Sequence, residues 1–388
     1  MDLAGEFDPQ LLFDHPDPYP LFAALRATQP VARVRMLGRE SVIVSKYDDC
    51  LAVLKDAETF SSASNVEVGK IMGRTLIEMD GKEHTRHRLL VQQVFAAKNL
   101  DALDPVLRAL AHELLDALAS GGRADLVASF TARFPVQVIA HLVGIPRADH
   151  PQFQRWALDI IGFARDRERG LAAAAALREY LLPVVRARRA APRDDVISRL
   201  VTGTVDGVGL GDEEVISFLR LLIPAGAETT YRLIGTTLFA LLTEPARLAR
   251  VRADRSLVRW AIEEALRWET PVLFVSRLAT RAALVRDVPV AAGDTLMVVI
   301  ASANRDEAHY PEPDRYDLDR RADDHLSFGF GRHHCLGYHL AMREADVALG
   351  AVLDRLRDLR LDPDAPPPRI TGLAFRSPTA LPVRFTAG

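Results

Sequence analysis

The chain has 388 residues, of which 48% are hydrophobic, and it carries a formal net charge of −3 at pH 7. This length and composition allow a sizeable core in one large domain or in two to three small ones. The charge gives no indication of nucleic-acid binding, and two cysteines, Cys50 and Cys335, cannot form a disulfide framework. The N-terminus lacks a signal-peptide pattern and no apolar run reaches a membrane span, so we expect a cytoplasmic protein without a membrane anchor.

The N-terminal region predicts a helix and then a hairpin. Pro20 is suited to the first turn of a helix over residues 21–27, because its fixed φ is already helical. Two β-type runs, 31–34 and 41–44, flank Leu37-Gly38, which is the predicted turn of the hairpin.

A helical segment with a basic face follows at 81–95, which reads GKEHTRHRLLVQQVF. His84 and Arg88 are four residues apart, so a helix places them on the same face. A solvated basic surface is the ordinary interpretation of such a pair. Other motifs in the chain have to decide whether these two residues bind anything.

The middle of the chain, 100–192, has helical apolar spacing nearly throughout. Short glycine-containing or charged linkers separate the helices, and Pro183 is expected to kink the last of them. The predicted helices are 102–119, 127–143, 150–165 and 171–189.

The longest predicted helix, 212–242, contains two residues that disfavour a helix. Gly226 costs about 1 kcal/mol relative to alanine, and Pro224 removes a backbone hydrogen bond and kinks the chain. Two such faults at one place indicate a functional distortion. Small residues there allow a flat ligand to approach, and Glu228 with Thr229 forms an acid–alcohol pair suited to proton relay. An ordinary polar turn within a packed helix is the alternative.

The helix predicted at 257–268 carries Glu264 and Arg267 at positions i and i+3. On spacing alone this is a surface ion pair, which contributes little to stability. Arg277 lies early in the first of the strands that follow. The predicted strands are 275–280, 283–285, 288–290 and 295–300, and a final hairpin is predicted over 370–385.

A glycine-rich segment around the second cysteine, 325–341, reads HLSFGFGRHHCLGYHLA. Apolar spacing over 336–349 predicts a helix directly after Cys335, so the cysteine lies where a loop becomes a helix. The free N–H groups and positive dipole of a helix start favour a thiolate, the form of cysteine that binds metals. Gly329 and Gly331 allow positive φ and close approach to a flat ligand, and Gly337 leaves the sulfur open to backbone N–H groups.

Two other interpretations of Cys335 stay open on spacing alone. A lone cysteine is often a small buried hydrophobic residue. A zinc site is the second, although zinc motifs usually pair their ligands on two arms and no second cysteine arm exists. Its possible ligands are His333, His334, Cys335 and His339.

Taken as a whole, FGFGRHHCLG matches F-G-x-G-x-H-x-C-x-G and resembles the haem-binding loop of the cytochrome P450 family. Three stretches before it resemble family motifs in the family's order: H-T-R-x-R at 84–88, A-G-x-E-T at 225–229 and E-x-x-R at 264–267. The resemblance covers nearly the whole chain. It implies a single domain over 1–388 with the mainly α-helical cytochrome P450 fold and a small β-rich region, with haem between the long central helix and the cysteine-loop helix.

The resemblance also implies roles for individual residues. Cys335 would be the axial thiolate ligand of haem b iron, and Glu228 and Thr229 would manage protons during oxygen activation. The residues implied to bind the haem propionates are His84, Arg88, Arg277 and His333. The other residues implied to contact the haem are Ala225, Gly226, Phe328, Gly329 and Gly337.

A separate set of residues is implied to have a structural role near the haem loop. In the family, the E-x-x-R pair is buried rather than exposed, and it has a third partner in the irregular segment before the cysteine loop. The residues that match this set are Glu264, Arg267 and Arg315.

The implied activity is that of a bacterial-type monooxygenase, which inserts one atom of O₂ into an apolar small molecule and reduces the other to water. The chain ends without a flavin or iron–sulfur segment, so electrons are expected from a separate ferredoxin and ferredoxin reductase. We expect a monomer with a basic docking face formed by Arg86, Arg332 and Arg343, for which a solvated surface is the alternative. A peroxide-driven hydroxylase and a non-catalytic haem-thiolate sensor are competing functions, and the acid–alcohol pair argues against both.

The substrate cannot be read from the sequence beyond its apolar character, which fits a terpene, steroid, fatty acid, aromatic or polyketide. By family position, the candidate pocket segments are 66–76, 153–163, 222–225, 272–274 and 373–375. Arg376 follows the last of these, and it either holds a substrate carboxylate or is an exposed arginine.

Overall fold

A computed structural model describes residues 15–36, 39–65, 69, 71–95, 97–118, 121–164 and 166–387. Within these ranges, no helix combines the length and the hydropathy needed to cross a membrane. The α-helices are α1 (Tyr19–Thr28), α2 (Tyr47–Lys55), α3 (Gly81–Gln92), α4 (Ala97–Asp116), α5 (Phe134–Val143), α6 (His150–Ile161), α7 (Arg167–Ala190), α8 (Val196–Thr202), α9 (Asp212–Ile223), α10 (Thr229–Leu242), α11 (Pro245–Ala253), α12 (Leu257–Trp268), α13 (Ile300–Ala303) and α14 (Tyr338–Arg355).

The strands form one sheet of five, one of three and three pairs. In the larger sheet the order is β1-β2-β10-β7-β3, with β10 parallel to β2 and antiparallel to β7. The strands are β1 (Val31–Met36), β2 (Arg39–Val44), β3 (Phe60–Ser61), β4 (Arg123–Asp125), β5 (Thr204–Val205), β6 (Val208–Gly209), β7 (Val275–Ala279), β8 (Ala283–Val285), β9 (Val288–Val290), β10 (Thr295–Val298), β11 (Leu356–Leu361), β12 (Ile370–Thr371), β13 (Ser377–Pro378) and β14 (Pro382–Ala387).

The predicted N-terminal hairpin is confirmed in its two arms, because β1 and β2 pair antiparallel from Val31↔Val44 onwards. The turn predicted at Leu37-Gly38 lies outside the described residues. The final hairpin was predicted wrongly. β12 and β13 form a short pair, but β14 leaves them and pairs with β11 and β4 in the three-stranded sheet.

The helix predicted at 127–143 is interrupted. A π-helical turn over Val127–Thr131 comes first, and α5 begins only at Phe134. Pro135 explains the break, because it has no N–H to donate to the preceding turn but fits well at the start of a new helix. A proline inside an apolar run therefore marked a boundary that apolar spacing alone did not reveal.

The long central helix is confirmed, and so is its distortion. α9 and α10 are joined by a π-helical turn over Pro224–Glu228. Pro224 has no N–H for an α-helical hydrogen bond, and a π-turn is one way in which a helix accommodates such a residue. α10 is buried along most of its length and packs against α12 and α14, so the central helix lies beside the helix that follows the cysteine.

The E-x-x-R pair is buried, as the resemblance implied. Arg267 is fully buried and donates to both carboxylate oxygens of Glu264, at 2.7 and 2.8 Å. The third partner is Arg320 rather than Arg315. Arg320 lies 3.2 Å from Glu264 Oε1, whereas the Arg315 side chain is exposed and pairs with Glu312 and an aspartate two residues on.

This network continues into the cysteine loop. Arg267 Nη1 donates to the Asn304 carbonyl at 3.1 Å, and the Asn304 side chain both accepts from the Leu326 N–H and donates to Ser327 Oγ, each at 2.8 Å. Ser327 Oγ in turn donates to the carbonyl of Leu266 at 2.7 Å. The start of the cysteine loop is therefore tied to the end of α12 by buried hydrogen bonds.

We predict that Arg267→Leu destabilises the protein by about 3–5 kcal/mol, because it leaves the buried Glu264 carboxylate without its main partner. Urea unfolding of the haem-loaded protein, followed by far-UV circular dichroism, measures this change. Arg315→Leu is the matched control in the same network and is expected to change stability little, since its side chain is exposed. Equal losses for the two variants would contradict the assignment.

Candidate active site

The cysteine loop holds Cys335 at a fixed point before α14. The Cys335 N–H donates to the Phe328 carbonyl at 2.8 Å, which closes the loop back on its first aromatic residue. The Phe328 ring packs edge-on against Tyr338, the first residue of α14, with centroids 4.7 Å apart. The predicted position of the cysteine, where the loop becomes a helix, is therefore confirmed.

Two glycines in this loop are required by the backbone. Gly329 and Gly331 have φ of 67° and 71°, a region that favours glycine. A Cβ on Gly331 would also lie 2.9 Å from the carbonyl oxygen of Leu54 at the end of α2. The loop therefore approaches α2 more closely than any side chain would allow. Gly337 has an ordinary negative φ of −87°, and a Cβ there would meet no protein atom within 4 Å.

The Cys335 thiol is not poised as a thiolate by the protein alone. Burial raises the pKa of the Cys335 thiol, and this effect outweighs the backbone N–H groups of Gly337 and Tyr338 and the nearby Arg88, which lower it. The expectation that the helix start makes the thiolate easily available therefore has to be corrected, because desolvation dominates. A bound metal cation would reverse the balance, since coordination deprotonates a thiol.

Cationic groups collect near this cysteine, and the two arginines among them, Arg88 and Arg277, have no hydrogen-bonded carboxylate within the described residues. Arg277 is 6% exposed, and its pKa is lowered by burial. Among the described residues it has no hydrogen-bonded carboxylate, and its Nη1 donates only to the Ser276 carbonyl at 2.8 Å. Burial likewise lowers the pKa of the Arg88 guanidinium. The buried guanidinium of Arg277 and the half-buried guanidinium of Arg88, with donors left unused in the described residues, form a suitable binding site for carboxylates.

His84 belongs to the same cluster. It is 1% exposed, its ring lies 4.3 Å from that of His333, and its Nδ1 is buried with no hydrogen-bond partner in the described part of the chain. Burial lowers the pKa of His84 to about 4, and the positive groups of His333 and Arg88 act in the same direction. The ring is therefore neutral near pH 7 and can offer an N–H to an anionic group.

His333 already has a partner, Asp80, which the sequence analysis did not single out. His333 Nε2 lies 3.1 Å from Asp80 Oδ1, while the other carboxylate oxygen of Asp80 accepts from Ser61 Oγ and the Ser62 N–H. Burial lowers the pKa of His333, whereas Asp80 raises it. Asp80 thus orients one of the predicted cofactor-binding residues, and no local pattern could have revealed a pairing over this sequence separation.

The distorted turn of the central helix presents small residues. Ala225 is exposed and Thr229 half-buried, although neighbouring Leu222, Ile223 and Ala227 are buried. The Thr229 hydroxyl donates to the Ala225 carbonyl at 2.7 Å. The accessible side of this turn is free of large side chains, as close approach of a flat ligand requires.

Packing within the protein explains why residue 226 is a glycine. A Cβ on Gly226 would lie 2.8 Å from Cδ1 of Ile139 on α5, so the glycine permits close packing of two helices. Its predicted contact with a cofactor stays a prediction, but the packing already accounts for the residue type.

Glu228 has a partner that spacing alone could have suggested. It is 6% exposed, and its Oε1 lies 2.7 Å from Nη2 of Arg232, one turn further along α10. Position i+4 on a helix is the usual place for such a partner. The acid of the predicted acid–alcohol pair is therefore held by an ion pair.

The sequence suggested that Arg376 either holds a substrate carboxylate or is an exposed arginine, and the structure shows neither. It is 3% exposed, and its Nε donates to Glu269 at 2.8 Å, while its other nitrogens donate to the carbonyls of Gly372 and His15, among others. Tyr19 donates to the same Glu269 carboxylate at 2.6 Å. Arg376 is therefore a structural residue that joins the segment before α1 to the β12–β13 pair.

The donor set fits haem better than zinc. No group of three or more histidine, cysteine or acidic side chains arranged to hold a metal ion occurs among the described residues. One cysteine sulfur, a buried and a half-buried guanidinium group and an accessible small-residue turn are instead suited to a flat iron-containing ring with acidic side arms. The predicted residues His84, Arg88, Arg277, His333 and Cys335 lie in this one cluster.

Comparisons with known proteins agree with this description. The family model for cytochrome P450 matches residues 10–143 and 136–381. The chain is 37% identical to cytochrome P450 monooxygenase PikC of Streptomyces venezuelae, over 96% of this chain and 92% of that protein. It is 36% identical to mycinamicin IV hydroxylase/epoxidase of Micromonospora griseorubida, over 93% and 94%. The solved structure of CYP109Q5 from Chondromyces apiculatus superposes with a TM-score of 0.90 at 34% identity, over 100% and 98%.

We predict opposite effects of Arg277→Leu on the haem-free and haem-loaded protein. Removing a buried, unpaired charge leaves the haem-free protein equally or more stable, whereas haem dissociation accelerates at least about tenfold through the lost charge-assisted hydrogen bonds. Urea unfolding and haem transfer to apomyoglobin measure the two effects. Arg281→Leu, just beyond β7, is the control because its guanidinium donates to Thr59 Oγ1. A haem dissociation rate equal to that of the unsubstituted protein would contradict the role of Arg277.

Proposed function

Because the chain belongs to the cytochrome P450 family, whose members are haem-thiolate monooxygenases, we propose that Cys335 supplies the axial thiolate to haem b in this protein. The observation that carries the proposal is the position of Cys335, at the start of α14 with backbone N–H groups of Gly337 and Tyr338 directed at its sulfur. The same N–H groups would remain as hydrogen-bond donors to the thiolate and adjust its electron donation.

When bound, haem supplies the oxygen activation, and its thiolate ligand favours cleavage of the O–O bond. The chain's own residues hold and orient it. Half-buried Arg88 and buried Arg277 would offer their guanidinium groups to the two propionates, and neutral His84 would offer an N–H. His333, fixed by Asp80, completes this anchoring group. The glycine-rich loop, with Phe328 and Gly329, would let the backbone lie close to the ring.

Glu228 and Thr229 supply the proton transfer in this proposal. Hydroxylation of a substrate RH consumes O₂, two electrons and two protons and yields ROH and water. The Glu228 carboxyl is the acid that takes protons from water, and the Thr229 hydroxyl hands them on at the accessible turn. Thr229 is held there by its hydrogen bond to the Ala225 carbonyl.

The substrate is an apolar small molecule that undergoes hydroxylation or epoxidation in this proposal. The relative named mycinamicin IV hydroxylase/epoxidase supports both reaction types. Two of the predicted pocket segments come together, since Val272 and Phe375 form an isolated antiparallel bridge. Phe375 also contacts Arg232 of α10 in the central helix. The pocket would therefore have an apolar, aromatic wall.

The electrons come from a separate ferredoxin and its reductase, and the protein acts as a cytoplasmic monomer in one domain over 1–388. Support for the partner lies in basic residues near the cysteine loop. Arg332 is exposed in that loop and lines a cleft of about 650 Å³ with Lys82 and Arg86 of α3. Arg343 was predicted to join this face, but it pairs with Asp101 and Asp104 and contributes less free positive charge.

The ferrous–CO difference spectrum of the purified protein tests the function. We expect a strongly red-shifted Soret band for the unsubstituted protein and its loss in Cys335→His. A panel of steroids, fatty acids, terpenes and polyketides is then screened by the spin-state shift of the ferric protein. A Soret band at the imidazole position, or a protein that binds no haem, would exclude thiolate ligation by Cys335.

We predict that Arg332→Glu slows the first electron transfer from a plant-type ferredoxin at low ionic strength, because it reverses one charge of the docking face. Stopped-flow reduction under CO at about 20 mM and 200 mM salt measures the rate, and the effect should shrink as salt screens the charges. Arg250→Glu is the control, because Arg250 is an exposed arginine of α11 that pairs with Asp319 and is not part of the docking face. An unchanged rate for Arg332→Glu at low salt would contradict a docking role.

A further inference from the structure

Arg232 has two polar contacts that haem binding does not explain. Its Nη2 lies 2.7 Å from Glu228 Oε1, and its Nη1 donates to Ser377 Oγ at 3.2 Å. The side chains of Arg232 and Glu228 are only 15% and 8% exposed. Because water screens such a pair poorly, the ion pair is a stronger restraint than a pair on the surface.

Aromatic rings complete the surroundings of this guanidinium. Its centre lies 5.6 Å from the ring centroid of Phe375 and 5.0 Å from that of Tyr231, both within cation–π range. Phe375 belongs to the segment between β12 and β13 and bridges to Val272. Arg232 thus lies between the acid of the central helix and the proposed apolar wall of the substrate pocket.

The anchor of Arg232 is itself fixed. Ser377 is 3% exposed and begins β13, and the next residue, Pro378, packs against α10, where a Cβ on Gly235 would be in van der Waals contact with its Cγ at 3.6 Å. Burial and this packing hold the Ser377 hydroxyl beside α10. A guanidinium that bridges a fixed hydroxyl to a carboxylate leaves that carboxylate little freedom to rotate.

From this geometry we infer that Arg232 is a positioning residue for proton delivery. It bridges Glu228 to Ser377 and so holds the acid at the turn that carries Thr229. The inference rests on the proposed function, because it assigns Arg232 to the proton step of that reaction. Without an organic substrate, correctly directed protons complete the reduction of O₂ to two water molecules, which consumes four protons and the four electrons of two NADPH. With misdirected protons, O₂, two electrons and two protons leave instead as hydrogen peroxide.

The test uses the haem-loaded full chain with a plant-type ferredoxin, its reductase and NADPH, without an organic substrate. NADPH oxidation and hydrogen peroxide release are measured for Arg232→Gln, Glu228→Gln and the double variant. We expect Arg232→Gln to slow NADPH oxidation about tenfold and raise the peroxide released per NADPH, as Glu228→Gln does. The double variant should show no further change, because each single substitution already breaks the same Glu228–Arg232 ion pair. Arg232→Lys should recover part of the rate, because an ammonium group can hold Glu228 but not Ser377 as well.

Two further measurements distinguish a positioning role of Arg232 from general damage to the active site. Affinity for 4-phenylimidazole, which ligates the iron and fills the space above it, should stay within twofold in Arg232→Gln. Ser377→Ala removes only the anchor and should give an intermediate peroxide yield. Arg247→Gln is the matched control, since Arg247 forms an i,i+3 pair with the exposed Glu244, and it should behave as the unsubstituted protein.

A readout independent of turnover is the double-mutant cycle in urea unfolding. The effects of Glu228→Gln and Arg232→Gln on the unfolding midpoint should be strongly non-additive, while those of Glu244→Gln and Arg247→Gln should add. Unchanged NADPH oxidation and peroxide yield in Arg232→Gln, or effects that add to those of Glu228→Gln, would overturn the inference. Failure of the proposed function can be told apart from failure of this inference. If the proposed function is wrong, the red-shifted CO band is absent, and the double-mutant cycle in urea can still be measured.

Discussion

Burial of charge without sufficient counter-charge is the constraint on which this site depends. Burial raises the pKa of the Cys335 thiol and lowers those of Arg277 and His84, so each group is driven toward its neutral form. A ring that carries an iron cation and two carboxylates reverses all of these penalties at once. The cysteine sulfur and Arg277 are thus complementary to haem in the sign of their charge, neutral His84 adds a hydrogen-bond donor, and part of the binding free energy is the relief of desolvation.

The surrounding fold keeps these groups in place by hydrogen bonds rather than by packing alone. Arg267 connects α12 to Asn304, and Asn304 holds both Leu326 and Ser327 at the start of the cysteine loop. The central helix is distorted at Pro224–Glu228, and most of the residues of α10 that follow are buried. Buried hydrogen bonds thus fix the start of the cysteine loop, and helix packing fixes the segment that follows the turn.

The sequence predicted those parts of the fold and site whose signals are local. The cysteine loop, the distorted central helix and the strands β7 to β10 each lie within one short stretch, and their positions are confirmed. The pairing of Asp80 with His333 spans 253 residues and has no local signal. Arg320 and Arg315 lie in one irregular segment, and spacing could not decide which of them reaches Glu264. The i,i+4 spacing could have predicted the pairing of Arg232 with Glu228. The bridge from Arg232 to Ser377 could not be predicted, because Ser377 lies in a distant strand.

The contact between Gly331 and the carbonyl of Leu54 has a consequence for the order of assembly in the cell. The cysteine loop can take its shape only against α2, and His333 only against Asp80, so both depend on segments made far earlier. A ribosome adding about 5–20 residues per second needs on the order of 15–60 s to pass from one segment to the other. The cysteine loop can therefore close on α2 only when synthesis is nearly complete, and a site that needs both segments is assembled late.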